Sequence, residues 1–200
     1  SLKNNKNLMI SISGIRGVIP DGLDLESIFL YSKAFAQNIS SKNSVVGMDG
    51  RPSGQFIKLI LEGVLLSLGK NVIDLGIVPT PTVKSVVNET KSGGGVMISA
   101  SHNPIQWNAF KLIGKNGFFY GQKELNDFLS ILKSSPNPKP SFLPKSVLFS
   151  KSEDYIDLHI NSVLKQVDVA KIRKKKFKVL LDAVNAGGSV VVPILLERLG

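Results

Sequence analysis

Gly93-Gly94-Gly95-Val96-Met97-Ile98-Ser99-Ala100-Ser101-His102-Asn103-Pro104 decides how the rest of the sequence is read. Three glycines lead into a short apolar run, the pattern of a buried strand that ends near Ser99. Two small residues, then Ser101, His102 and Asn103 follow, and Pro104 stops the strand from continuing. Open α/β sheets take their ligands just past the carboxyl ends of their strands, so Ser101 stands where a nucleophile belongs. Ser-His-Asn-Pro is equally a set of ordinary turn residues. The flanking segments weigh between the two.

Upstream, strand and helix patterns alternate. Leu8 to Ile12 reads as a first strand running into Ser13-Gly14-Ile15-Arg16-Gly17, a predicted loop with two glycines around one arginine. Such glycines let backbone approach a ligand, and the arginine can offer a planar fork to phosphate; a surface arginine in a flexible turn is the plainer reading. Asp24 can cap a helix from about Leu25 to Ile39. Val45 to Met48 is a second strand closing on Asp49-Gly50-Arg51-Pro52-Ser53-Gly54. There Asp49 and Arg51 can brace each other or a neighbouring loop, and Ser53 can cap the next helix. That helix carries Ile57, Ile60, Leu61, Val64, Leu65 and Leu68 at helical spacing and ends at Gly69. Val72 to Leu75 is a third strand, and Thr80 before Pro81 suits a cap followed by a first-turn proline.

Downstream, Ala109 to Ile113 predicts a strand paired beside the serine strand. Lys111 interrupts it, either snorkelling from an edge or aimed at the serine loop as a fixed charge. Leu125, Phe128, Leu129 and Leu132 stripe a further helix. Pro136, Pro138, Pro140 and Pro144 mark a linker. Beyond it, a helix is predicted from Glu153 to about Val169, then a strand at Phe177 to Asp182. A small-residue loop leads to a helix over Val190 to Leu199, with Pro193 required in its first turn. The expected fold is a three-layer α/β/α arrangement on a mixed, mostly parallel sheet over residues 1–145. Residues 146–200 would begin a second, similar α/β domain.

Composition narrows the function. In 200 residues, 42% are hydrophobic and 20% charged, the balance of a globular chain with room for a sizeable core. No apolar run approaches the roughly 20 residues of a membrane span, and the N-terminus does not read as a signal peptide. Cytoplasm is the default expectation and no membrane partner is expected. With no cysteine there is no disulfide framework and no thiol nucleophile. The net charge of +10 raises nucleic acid as a partner, and Arg173-Lys174-Lys175-Lys176 with Lys178 resembles a phosphate-binding patch. No nucleic-acid-reading motif accompanies it, so a solvated connection is the expectation. A basic field equally suits small phosphorylated substrates.

Together these loops resemble the phosphohexomutase family: phosphoglucomutases, phosphomannomutases and phosphoglucosamine mutases. Ser13-Gly14-Ile15-Arg16-Gly17 resembles the family's N-terminal arginine loop, and Gly47 to Gly54 its second loop. Ser99-Ala100-Ser101-His102-Asn103-Pro104 is similar to its phosphoserine loop, and Trp107-Asn108-Ala109-Phe110-Lys111 to the segment after it. Asp182 to Gly188 resembles the opening of its second domain. The resemblance implies that Ser101 carries a phosphoryl group, exchanges it with a hexose phosphate, and passes through a hexose 1,6-bisphosphate. It implies catalytic roles for Ser101, His102, Lys111 and Arg16, and substrate binding by Asn103, Arg51 and Asp49. It implies Mg²⁺ held by the Ser101 phosphate together with three aspartates of a later loop. No Asp-Gly-Asp cluster occurs in this sequence, so these 200 residues alone are not expected to turn over.

Two rivals stand beside this reading. A serine hydrolase using Ser101 and His102 lacks the Gly-x-Ser-x-Gly elbow, and its only other histidine, His159, reads as an ordinary helix-surface residue. A non-catalytic sugar-phosphate-binding module, derived from a mutase, fits the missing metal loop. Sequence leaves the hexose and the oligomeric state open.

Overall fold

A computed structural model describes residues 6–134, 138–140, 147–149 and 152–200. Among the described residues the strands are β1 (Leu8–Ser11), β2 (Gly14–Val18), β3 (Asn43–Met48), β4 (Asn71–Ile77), β5 (Gly94–Ile98), β6 (Trp107–Gly114) and β7 (Leu148–Phe149). The helices are α1 (Leu25–Asn38), α2 (Gly54–Ser67), α3 (Thr80–Glu89), α4 (Gln122–Ser134), α5 (Ser152–Leu164), α6 (Val169–Lys175) and α7 (Gly188–Leu199).

The strands form one sheet in the order β1-β2-β6-β5-β3-β4-β7. β5, β3, β4 and β7 pair in parallel, whereas β1, β2, β6 and β5 pair antiparallel, so β1 and β6 run against the other five. The three-layer, mostly parallel α/β architecture expected from the sequence is the one observed. Alternation along the strands sorts the core. Val46, Val96, Ile98, Phe110 and Leu112 face α1, α2 and α4. Val45, Ile73, Leu75, Met97 and Ile113 face α3 and α5. Each central strand is therefore apolar on both sides, which is why Val45-Val46 and Val96-Met97-Ile98 read as unbroken runs. Beyond residue 146, α5 buries Ile156 and Ile160 in the same cluster as Val45 and Met97.

Local chemistry sets the element ends. The Asp24 carboxylate accepts from the Ser27 N–H at 2.7 Å and starts α1. After α2, Gly69 adopts φ +77°, the left-handed conformation of a helix terminator.

Several sequence expectations need correction. Gly14 to Val18 is a strand, not a loop: it pairs on both sides, with β1 and β6, and that double ladder outweighs the low strand propensity of its glycines. Gly14 is needed because a Cβ there would lie 2.6 Å from the Phe110 carbonyl oxygen. The helix predicted to Val169 stops at Leu164, and Asp168 caps the separate helix α6 by accepting from Lys171 N–H at 2.9 Å. Arg173, Lys174 and Lys175 form the last turn of α6, where cations complement the helix dipole.

Residues 177–182 form no ladder, and Leu180 is 98% exposed. The composition favours a strand, but a strand exists only where a neighbouring strand accepts its hydrogen bonds. Pro193 lies inside α7 rather than in its first turn, since the helix already begins at Gly188. Helix α3 starts at Thr80 with Pro79 at the cap, one residue earlier than predicted. His159 is half-buried, with its Nδ1 2.9 Å from the Thr82 hydroxyl, and burial lowers its pKa. Most of the proline-marked linker lies outside the described residues.

Candidate active site

Parallel strands β3 and β5 end side by side, and the chain segments leaving them build the site. The ladder is carried one step further by Asp49 N–H donating to the Ile98 carbonyl at 3.0 Å. Past Ile98 the Ser99 hydroxyl accepts from the Ser101 N–H at 3.1 Å, and Asn103 N–H donates to the Ala100 carbonyl. The resulting turn holds Ser101 at φ +57°, a left-handed conformation that a residue bearing a Cβ adopts at a cost. Ser101 and His102 are exposed, and Asn103 is half-buried with an unpartnered buried Oδ1.

Arg51 underlies this loop. Its Nη2 donates to the Ser101 and Asn103 carbonyls at 2.8 and 2.6 Å. Its Nη1 donates to the Pro104 and Trp107 carbonyls at 2.7 and 3.0 Å. Its Nε meets Asp49 Oδ2 at 3.3 Å, while Asp49 Oδ1 accepts from the Arg51 N–H at 3.0 Å. The geometry displays both roles open to this pair in the sequence: Asp49 and Arg51 brace each other, and Arg51 braces the neighbouring loop. Asn108, fully buried, ties the far end of the segment down: its Nδ2 donates to the Ser53 hydroxyl at 2.9 Å. Ser53 accordingly makes no capping bond to α2, contrary to the sequence expectation.

The cations come from strands. Arg16 on β2 pairs with Ala109 of β6, and Lys111 lies two residues further on, which puts both side chains on one sheet face. The Lys111 pKa is lowered by burial and by the Arg16 charge; Asp49 pulls it up and Arg51 pushes it down again. Lys111 thus feels the charges of both Arg16 and the Asp49–Arg51 pair. Arg16 Nε is buried without a hydrogen-bond partner.

An open cleft of about 290 Å³ lies over the loop, lined by Asp49, Gly50, Arg51, Ser101, Asn103, Ile105, Val184, Asn185 and Ala186. Sequence reading missed the last three as part of a site. Their signal was the small-residue run after Asp182, which reaches the cleft because Gly50 has no Cβ. One built there would lie 2.6 Å from the Asn185 carbonyl oxygen. Val184 and Asn185 both take left-handed φ values, 45° and 55°. His102, Arg16 and Lys111 are not among the lining residues. The hydrolase alternative loses its remaining histidine, since His159 is committed to Thr82 between α3 and α5.

Residues 9–138 match the model of phosphoglucomutase/phosphomannomutase, alpha/beta/alpha domain I. The chain belongs to this mutase family. A phosphoglucosamine/phosphogalactosamine mutase of Sulfurisphaera tokodaii is 32% identical over 194 residues, covering 96% of this chain and 42% of the relative. A phosphoglucomutase/phosphomannomutase of Thermococcus kodakarensis is 32% identical over 192 residues, covering 94% and 42%. The crystal structure of a phosphoglucomutase/phosphomannomutase family protein from Burkholderia thailandensis superposes with a TM-score of 0.67 at 21% identity. It covers 96% of this chain and 43% of that one. The mutase-family chain thus spans about two-fifths of the length of these curated relatives. No helix among its described residues is long and apolar enough to cross a membrane.

Proposed function

We propose that this chain carries the phosphoserine part of a phosphohexomutase that interconverts hexose 1-phosphates and 6-phosphates. Ser101 Oγ is the phosphoryl carrier. In one half-reaction a sugar hydroxyl oxygen bonds to the phosphorus, the P–Oγ bond breaks, and the hydroxyl proton ends on Ser101. In the other, the bisphosphate's second phosphate returns to Oγ, and the serine proton goes to the released sugar oxygen. Such transfer depends on positioning and on cations at the transferring group more than on covalent chemistry.

Arg16 and Lys111 supply that positive charge, His102 is the group beside Ser101 able to move the proton, and Asn103 shapes the pocket. The observation that supports the reading is the shared sheet face of Arg16 and Lys111, with Lys111 in the field of the Arg51 that holds the carbonyl of an exposed Ser101 in a left-handed turn. Family relatives bear names covering glucosamine, galactosamine, glucose and mannose phosphates, so the hexose is proposed only as a class.

A Mg²⁺ ion would take the Ser101 phosphate as one ligand and neutralise charge on it. Among the described residues no group of three or more His, Asp or Glu completes a metal site, and no step is assigned to the ion. Turnover is therefore proposed for a polypeptide that also brings metal and sugar ligands, working in the cytoplasm. Residues 146–200 are proposed to lead into its second α/β domain, with β7 on the first sheet and Ile156, Ile160 and Val191 in the core cluster of that sheet.

Intact-mass analysis after incubation with glucose 1,6-bisphosphate and Mg²⁺ tests the proposal. One phosphate should appear on the chain, or on a longer polypeptide containing it, and be absent from Ser101→Ala. Binding of the bisphosphate without any transfer would replace the mutase with a non-catalytic sugar-phosphate-binding module.

A further inference from the structure

Arg51 lines the candidate site, yet its side-chain hydrogen bonds all go to acceptors within the protein. A guanidinium has five N–H donors. Arg51 directs them at Asp49 Oδ2 and at the carbonyl oxygens of Ser101, Asn103, Pro104 and Trp107, all within 2.6–3.3 Å. Five donors meet five acceptors, which leaves none for a phosphate or a sugar hydroxyl. The side chain is about 11% exposed and its charge is paired with Asp49. We infer that Arg51 is a positioning residue that sets the serine loop, with Asp49 as its orienting partner, rather than a ligand for the substrate.

The physical need for it is local. Between Ser99 and Trp107 the chain reverses direction from β5 into β6 and turns four carbonyls towards one point. Carbonyls gathered in that way repel one another and lack partners in any ladder. A planar, always charged fork answers all four at once, and Asp49 fixes its plane through Nε and its own backbone. One of those carbonyls belongs to Ser101 itself, so the guanidinium also stabilises the residue with φ +57°. A lysine at position 51 would keep the charge but present three donors from a single point. It cannot span carbonyls spread from residue 101 to residue 107.

This inference rests on the phosphoserine reading for its catalytic consequence but not for its structural content, and the experiment separates the two. Hydrogen exchange would be followed in the wild-type chain, Arg51→Lys and Asp49→Asn. Exchange across β3 and β5, together with the thermal midpoint, reports whether each variant is folded. The amides of Ser101, Asn103 and Trp107 should exchange about tenfold faster in Arg51→Lys while β3 and β5 stay protected. Asp49→Asn should show a smaller change in the same direction, which keeps the test available if the lysine variant folds poorly.

In single-turnover phosphorylation by glucose 1,6-bisphosphate, Arg51→Lys should lower the maximal rate on the order of 100-fold by misplacing the nucleophile. Its half-saturating bisphosphate concentration should stay within about twofold of wild type, because no substrate contact has been lost. Unchanged exchange at residues 101–107 in both folded variants would overturn the inference, whatever the kinetics. A raised half-saturating concentration at an unchanged maximal rate would also overturn it, by making Arg51 a substrate ligand. Single turnover is read on a longer polypeptide containing the chain where the chain alone takes up no phosphate. If that polypeptide too accepts none, the mutase reading fails, and the exchange comparison still decides the role of Arg51.

Discussion

Arg16 and Lys111 project from one face of the sheet on the adjacent strands β2 and β6, offset by a single side-chain repeat. Diagonal neighbours of this kind lie roughly 7–8 Å apart at their backbones, within mutual reach of two long side chains. Two cations so placed repel each other, and Arg16 accordingly helps depress the Lys111 pKa. Such an arrangement, unfavourable by itself, would become favourable with the doubly charged phosphate of the proposed function between them.

Lys111→Met should therefore separate stability from function. Burial and the Arg16 charge lower the folded-state pKa of Lys111 below its ordinary 10.5. The folded state thus holds this proton less well than the unfolded chain does. Wild-type stability should rise as pH climbs through the lowered pKa towards 10.5, because the unfavourable charge is shed. In Lys111→Met that alkaline rise should flatten, and the variant should gain on the order of 1 kcal/mol at neutral pH while losing phosphorylation at Ser101. Denaturant unfolding across this range, paired with intact mass, checks both halves.

Ser101 offers a backbone test. Its φ of +57° costs a residue with a Cβ about 1–2 kcal/mol relative to glycine. Ser101→Gly and Ser101→Ala both remove the hydroxyl and should both abolish phosphate uptake. They should differ in stability, with the glycine variant the more stable by about 1 kcal/mol after allowing for its freer unfolded chain. Equal melting temperatures would show that the turn is held without strain.

Glu62 predicts a pH effect away from the site. It is 4% exposed and shares the Lys58 ammonium with Asp74, at 3.3 Å and 2.5 Å respectively. Burial and repulsion from Asp74 raise its pKa from 4.5 to about 7, against the pull of Lys58. Burial pulls the Lys58 pKa down, and the hydrogen bond and charge of Asp74, with those of Glu62, more than reverse this. A raised carboxylate pKa means that the folded state binds the proton more tightly. Stability should fall as pH rises from 4.5 through about 7, by at most about 1.4 kcal/mol per pH unit from this one site. Glu62→Gln should match wild type in mild acid and exceed it above neutrality, as urea titrations at several pH values would show.

Much of the fold was legible because its signals are local. Asp24 and Gly69 mark helix ends by chemistry that acts within a few residues, and Val96 to Ile98 is apolar enough to belong only to a buried strand. β2 was not legible, since nothing within Gly14 to Val18 announces a strand; its identity comes from β1 and β6, and β6 lies some ninety residues away. The opposite failure at 177–182 has the same origin, a strand-like composition with no partner among the described residues. Ser101, Arg16 and Lys111 could be singled out as candidates by residue type and order. The allocation of Arg51 could not, because donors and acceptors can be counted only once the loop has closed around them.

Because Arg16 and Lys111 are carried by paired strands, the separation of their backbones is fixed when the sheet forms. Neither can advance or withdraw independently as a lysine on a surface loop would. The pair stands outside the lining of the cleft and acts on its Asp49–Arg51 wall through charge, as the Lys111 pKa records. The Val184–Ala186 side of the opening, by contrast, is held in no strand ladder.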